Sequence, residues 1–380
     1  MDIYVVKEGD TVNAIADRYQ ISLSDIIYVN QLVFPYPLAI GQALLIPTET
    51  NISNKKSIVT NGYAYPYIDN EVLETTLPYL SELSVFSYGF TADGTLVFPS
   101  VDDSFMISLA YQYNTRPILT LTPLDEKGQF NNNLVTALVS NTETQNKLIS
   151  QLLFTMEQKG YQGVNVDFEY VLASDADGYV AFVQTLTLRM NENGYTVSIA
   201  LPPKMSKEQP GTLYEGADYQ RLGEAANSVL LMTYEWGYTY GPPMAVAPIN
   251  MVRKVVDFAI TQIPNTKINL GIPNYGYDWP LPYQKGVTKA TAISNTTAVR
   301  IAVSNNAEIQ YDETAQTPFF HYWLNGIEHE VWFEDVRSMQ AKFGLVSEYD
   351  LMGVGYWQIM RLFLANWILL EDTFDIIKVR

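Results

Sequence analysis

The chain has 380 residues, a formal net charge of −18 at pH 7, no cysteine, and two histidines, His321 and His329. Disulfide frameworks, thiol nucleophiles and thiolate metal sites are excluded, a three-His metal site is impossible, and hydrolytic chemistry falls to the carboxylates. Nucleic acid and anionic lipid are poor partners for such a surface, and no apolar run approaches the roughly 20 residues that span a bilayer.

The start, Met1-Asp2-Ile3-Tyr4-Val5-Val6-Lys7, lacks a basic n-region and a long apolar h-region, so no secretory signal peptide is expected. Tyr4-Val5-Val6 reads as a short strand. Gly9-Asp10-Thr11 turns the chain, with Asp10 or Thr11 as a helix cap. Ile15, Ala16 and Tyr19 give the first helix its apolar face, and Ile26, Ile27 and Val29 give a second one, started at Ser22 or Ser24 and closed by Asn30. Leu44-Leu45-Ile46-Pro47 is the last strand, so residues 1–48 form a β-α-α-β module. Its ordered set, Tyr4-x-Val6-x-x-Gly9-Asp10-Thr11, Ile15-Ala16, Asn30 and Ile40-Gly41-Gln42-x-Leu44-x-Ile46-Pro47, resembles a LysM module. The resemblance implies binding of N-acetylglucosamine-containing glycans. The implied groove lies between Gly9, Asp10 and Thr11 on one side and the segment after Asn30 on the other.

Residues 49–56 are polar, lack periodicity and read as a linker. From 57 to 380, strands alternate with helices. The strands are expected at 57–63, 83–90, 117–122, 163–169, 195–202, 228–234, 268–273 and 352–358. Amphipathic helices are expected at about 142–158 (Leu148, Leu152, Met156, stopped by Gly160), 177–192 (Phe182, Val183, Leu186, Met190) and 249–262 (Val252, Val255, Val256, Ala259). Eight alternations predict a (β/α)₈ barrel. The runner-up, a doubly wound open sheet, would want a glycine-rich phosphate loop after an early strand, and none is present. An α+β insertion is expected at about 280–334, between the last two strands, with a hairpin turn at Asn325-Gly326, followed by a helix at 335–343. Both histidines fall in the insertion and read as structural.

The expected fourth strand reads Gly163-Val164-Asn165-Val166-Asp167-Phe168-Glu169. Alternation puts Val164, Val166 and Phe168 on one face, under the helices, and Asn165, Asp167 and Glu169 on the other, toward the barrel axis. Glu169 comes last, at the C-terminal end, where barrel enzymes place catalytic groups.

This segment resembles the DGxDxDxE signature of glycoside hydrolase family 18 through Gly163, Asp167 and Glu169, with Phe168 between the acids. Gln162 and Asn165 stand where the pattern has its first and middle Asp. The Ser-x-Gly-Gly of strand three is replaced by Pro117-Ile118-Leu119-Thr120-Leu121-Thr122. Downstream, Met232-Thr233-Tyr234-Glu235-Trp236 resembles the strand-six Met-x-Tyr-Asp, with Glu for Asp. Asn274-Tyr275-Gly276-Tyr277-Asp278-Trp279 and Gly355-Tyr356-Trp357 resemble the ends of strands seven and eight. Trp236, Trp279 and Trp357, three of the six tryptophans, therefore fall at strand C-termini. Tyr234-Glu235-Trp236-Gly237, Gly241-Pro242-Pro243-Met244-Ala245 and Glu330-Val331-Trp332-Phe333-Glu334-Asp335 resemble the LysM-bearing, spore-cortex-lytic members of the family. Many of those carry two LysM modules where this chain has one, and the segment Met360–Leu364 departs from their pattern.

The resemblance implies a peptidoglycan (spore cortex) N-acetylglucosaminidase that cleaves β-1,4 bonds with retention by substrate assistance. Glu169 would be the acid/base, Asp167 its partner and the charge that raises its pKa, and Tyr234 the hydrogen-bond donor to the substrate acetyl. Asn165, Tyr63, Glu235, Trp236, Asn274, Trp279 and Trp357 are the expected sugar contacts, with Asn165, which cannot ionise, holding Asp167 in place. No metal and no cofactor is expected. The partner is an N-acetylglucosamine glycan, not nucleic acid or membrane, and the oligomeric state stays open. The expected location is the spore coat or cortex surface, reached after cytoplasmic synthesis without a signal peptide. The alternatives are a chitinase or endo-N-acetylglucosaminidase, and, in another class, a non-catalytic glycan-binding lectin or coat protein.

Overall fold

The structure is a computed structural model that describes residues 1–48 and 54–378; most of the expected linker, 49–56, lies outside the described residues. The N-terminal module pairs Asp2–Val5 antiparallel with Ala43–Ile46, across two helices, Val12–Tyr19 and Leu23–Val29. Thr11 caps the first helix, accepting from Ala14 N at 3.2 Å. Asn30 closes the second and clamps it to the last strand: its amide donates to Ile26 O and Leu45 O, and its Oδ1 accepts from Leu45 N.

Eight parallel strands follow: Lys56–Ala64, Glu82–Phe90, Arg116–Leu121, Gly163–Val166, Thr196–Leu201, Ser228–Leu231, Ile268–Pro273 and Gly353–Trp357. They are called the first to eighth barrel strands below. Each pairs with its neighbour, and the eighth pairs with the first, Gly353 opposite Val59, which closes the barrel. The expected helices appear as Thr142–Lys159, Ala176–Glu192 and Ile249–Ala259. Gly160 ends the first of these with a φ of +87°, a left-handed conformation that glycine adopts without steric cost.

The insertion is a five-stranded antiparallel sheet with one helix, Asn295–Ser304. Its first strand, Gly276–Pro280, leaves the barrel directly after the seventh strand, so the insertion begins a few residues earlier than the sequence suggests. Asn325 and Gly326 form its two-residue hairpin turn at φ of +53° and +80°. The helix that follows runs Val336–Glu348, longer than expected, behind a capping box of Asp335 and Ser338. His321 pairs with Glu328 and His329 with Asp278, both within this insertion.

The module is docked on the barrel and its insertion. Val29 and Leu45 are buried in the same apolar core as the barrel. Ile309 N donates to Ile40 O at 2.8 Å, Arg337 Nη2 to Gly41 O at 3.3 Å, and Leu364 N to Gln31 Oε1 at 2.9 Å. A Cβ on Gly41 would fall 1.8 Å from Ile309 O, so only glycine permits this approach. No described helix is long and apolar enough to cross a membrane.

Candidate active site

The fourth barrel strand is fixed by its apolar face. Val164, Val166 and Phe168 are buried, and Phe168 stacks on Tyr179 and Phe182 of the helix Ala176–Glu192 at 5.6 and 6.1 Å between ring centroids. Burying such side chains stabilises by about 1.5–3 kcal/mol each. With those residues outward, Asn165, Asp167 and Glu169 must face the axis. The regular strand ends at Val166, but Asp167 N still donates to Leu121 O at 2.9 Å, so Asp167 stays in the ladder and Glu169 lies just beyond it.

Asn165 is buried, and both ends of its amide are bonded. Its Oδ1 accepts from the Tyr63 hydroxyl of the first strand at 3.1 Å, and its Nδ2 donates to Ser198 Oγ of the fifth at 2.8 Å. Asn165 was expected to hold Asp167 in place; its amide links the first, fourth and fifth strands two residues before that acid. Asp167 is buried, and its Oδ1 has no partner among the described residues.

Both acids are pushed up from the ordinary carboxylate range. For Asp167 the causes are burial first and the charge of Glu169 second, and the rise is large; for Glu169 they are burial first and the charge of Glu235 second. The sequence reading named Asp167 as the charge acting on Glu169. Glu235 adds a further negative charge near Glu169, beside the buried acidic pair that Asp167 and Glu169 form. Two desolvated carboxyls this close titrate together and share a proton rather than ionising independently.

Tyr234 is buried at the end of the sixth strand, and its hydroxyl is pushed far up, by burial first and then by Tyr63, Asp167, Glu169 and Glu235, so it remains a donor. The seventh strand makes room for its ring: a Cβ on Gly271 would lie 2.9 Å from Tyr234 Cε1 and 2.2 Å from Leu231 O. Glu235 has a φ of +66°, a left-handed conformation uncommon for a side chain of this size. Its carboxylate accepts from both Tyr275 and Tyr277 hydroxyls, the latter at 3.1 Å. Burial raises its pKa and those two bonds oppose the rise.

Trp357, half-buried at the end of the eighth strand, packs edge-on against Phe86 at 4.9 Å and Tyr63 at 5.9 Å. Tyr65 adds its edge at 6.3 Å and stacks on the exposed Tyr67. Trp236 is half-buried beside Glu235. Two expected sugar contacts lie elsewhere. Trp279 is fully buried and donates its Nε1 to Gly241 O at 2.9 Å, which pins the loop after Glu235 instead of presenting an exposed ring. Asn274 is buried and donates to Gln358 O and Arg361 O, tying the end of the seventh strand to the segment after Trp357. In the N-terminal module, Asp10 accepts from Tyr4 Oη and Lys7 N, so Asp10, Thr11 and Asn30 all hold the module's own turns, and Gly9 sits in open space at a φ of +82°.

The residues missed in the sequence are Tyr275 and Tyr277, which hold Glu235, and Tyr65 and Phe86, which frame Trp357. The signal for the first two was present: tyrosines two apart beyond a strand end face the same side.

The profile of glycosyl hydrolases family 18 matches residues 128–361. The chain belongs to glycoside hydrolase family 18. The LysM domain profile matches residues 4–47 of this family 18 glycoside hydrolase. It is 37% identical over its whole length to the cortical fragment-lytic enzyme of Bacillus subtilis (strain 168), covering 99% of that protein. Its fold superposes on the Bacillus megaterium QM B1551 spore cortex-lytic enzyme SleL with a TM-score of 0.93 at 33% identity, covering 99% of this chain and 98% of that one. The Bacillus cereus spore cortex-lytic enzyme SleL gives 0.82 at 37% identity, covering 99% and 87%.

Proposed function

We propose that this family 18 enzyme is a spore-cortex N-acetylglucosaminidase that cleaves β-1,4 N-acetylglucosaminyl bonds of peptidoglycan with retention. The observation that carries the reading is a single constellation: two raised carboxyls, Asp167 and Glu169, at the C-terminal end of the fourth strand, with Tyr234 opposite and Trp357 as an apolar wall. The cortex-lytic names of its relatives supply the substrate.

Family 18 departs from the two-carboxylate rule because the substrate provides the nucleophile. Burial keeps a proton on the Asp167–Glu169 pair. When the substrate acetamide N–H reaches the unpartnered Asp167 Oδ1, the Asp167 anion gains a hydrogen bond, and the proton passes to Glu169. Glu169 then protonates the glycosidic oxygen. The acetamide carbonyl oxygen bonds to the anomeric carbon as the glycosidic bond breaks, and the leaving sugar departs as an alcohol. The oxazolinium ion carries its positive charge beside Asp167. Tyr234 donates to the acetyl oxygen. Water then attacks the anomeric carbon, gives its proton to the Glu169 carboxylate and reopens the ring. Two inversions leave the configuration retained.

The test is mass spectrometry of cortex fragments and of chitooligosaccharides after incubation with the wild-type chain and with Glu169→Gln. Cortex products ending in reducing N-acetylglucosamine, absent with the variant, support the reading. Cleavage of chitooligosaccharides alone would make the enzyme a chitinase, and binding without cleavage would make it a lectin.

A further inference from the structure

A cleft of about 400 Å³ runs between the N-terminal module and the insertion. Val33 and Phe34 of the module line one side; Asn295, Val299 and Arg300 of the helix Asn295–Ser304 line the other, with Glu334. The catalytic chemistry uses none of them. The segment Glu330–Asp335, singled out in the sequence, ends here and not at the carboxylates.

Three features of the cleft point to a ligand. Asn295 and Glu334 are 3% and 1% exposed, yet Asn295 Nδ2 and Glu334 Oε1 have no partner among the described residues. A buried polar atom left unpaired costs roughly 1–3 kcal/mol, so a bound donor or acceptor is the natural complement of each. Val33 and Phe34 are 59% and 79% exposed, an apolar surface of the kind a pyranose ring covers with its C–H face. The third feature is charge. Of the lining acids, Glu334 is paired with Lys342 at 2.8 Å and Asp335 with Arg337 at 2.6 Å. Arg300 is exposed and forms no ion pair among the described residues, on a chain whose acids exceed its bases by 18. A neighbouring groove, lined by Gln31, Arg300 and Arg361, continues from it, and the Arg361 charge reaches Tyr277, the partner of Glu235.

We propose that this cleft is a second glycan-binding site, shared by the LysM module and the insertion, for an N-acetylglucosamine strand that bears carboxylates. Arg300 pairs a carboxylate, Asn295 and Glu334 take polar groups of the sugar, and Phe34 covers a ring face. The assignment rests on the wall-glycan reading above and adds a residue-level reason for preferring an acidic glycan to neutral chitin.

Hydrogen–deuterium exchange on the full chain carrying Glu169→Gln tests it, with two probes. One is the tetrasaccharide of alternating N-acetylglucosamine and N-acetylmuramic acid; the other is tetra-N-acetylchitotetraose, which lacks carboxylates. Slower exchange is expected over 30–37 and 294–304 as well as 163–170 with the muramic probe, at lower concentration than with chitotetraose. Arg300→Ala, a surface change, should raise the half-saturating muramic concentration at the cleft segments about tenfold. Protection confined to 163–170 would overturn the cleft site and leave the enzyme assignment standing. Cleft protection that ignores both Arg300 and the carboxylates would overturn the acidic-glycan specificity. Protection in none of these segments would overturn both readings.

Discussion

The Tyr63 hydroxyl donates to Asn165 Oδ1 across 3.1 Å, joining the first and fourth strands directly beneath Asp167. The resemblance pattern has an ionisable Asp at this position, and here an amide does the bracing. Asn165→Asp puts a third acid under a pair already raised by burial and by neighbouring carboxylates. Repulsion raises the pair further, so the alkaline limb of kcat against pH should move to higher pH with the maximum rate within about tenfold of wild type. A pH–rate profile checks this, and a loss as deep as that of Glu169→Gln would refute it.

Raised carboxyls also carry a stability signature. A folded-state pKa above the unfolded one means the native state binds the proton more tightly. Stability from that proton is complete below the unfolded pKa and is lost as pH rises toward the folded pKa. Asp167→Asn and Glu169→Gln remove that loss, so each should raise Tm at pH 7, by roughly 1–3 °C, with the gain shrinking toward about pH 4. Glu169→Gln should at the same time lower kcat by about 10²–10⁴-fold. Thermal melts across pH decide the first part; a lowered Tm for both variants at pH 7 would contradict the shifts.

Glu235 is the charge that acts on Glu169 after burial itself. Glu235→Gln removes it, so the Glu169 pKa falls and the alkaline limb of the rate profile moves to lower pH. Tyr275→Phe with Tyr277→Phe removes the bonds that hold Glu235 down, so its pKa rises and the carboxylate loses its fixed position. That double variant should lower kcat at constant fold, read by circular dichroism beside the rate.

Two of the three tryptophans at the strand ends, Trp357 and Trp279, should separate cleanly. Trp357 is half-buried at the end of the eighth strand against Phe86 and Tyr63, and Trp357→Ala is expected to lower kcat/KM about tenfold or more through lost stacking. Trp279 is buried, and Trp279→Phe leaves Gly241 O unpaired, costing about 1–3 kcal/mol of stability. Urea denaturation and steady-state kinetics on both variants test the division; a Trp279→Phe enzyme of normal stability and poor KM would reverse it.

The barrel was legible because each strand is short, apolar and followed by a helical period, and because Val164, Val166 and Phe168 leave the acids of the fourth strand only one direction to face. Glu169 was legible from its place at that strand's end. The direction of Trp279 was not, since a strand-end position says nothing of whether the next residues turn over the cleft or away into the insertion. Nor was the docking of the module: Gly41 reads as a turn glycine, and its second constraint, the approach to Ile309 O, comes from a residue far along the chain. Asp10, Thr11 and Asn30 read as ligand contacts by resemblance, and their bonds are to the module's own turns. Glu235 read as a substitution for Asp; Tyr275 and Tyr277, two apart beyond a strand end, read as sharing a side, but their bonds to Glu235 depend on the seventh strand lying near the sixth.

The central claim is that the substrate's acetamide, its N–H held by Asp167 and its oxygen by Tyr234, supplies the nucleophile while Glu169 protonates the leaving oxygen. The direct measurement is kcat for one oligosaccharide carrying N-acetyl, N-fluoroacetyl and N-trifluoroacetyl groups at the cleaved sugar. Fluorine withdraws electrons from the carbonyl oxygen, so the account predicts a steep, ordered fall in kcat along the series, with retained configuration in the product. A flat series would mean that the acetamide takes no part in bond breaking, and would contradict it.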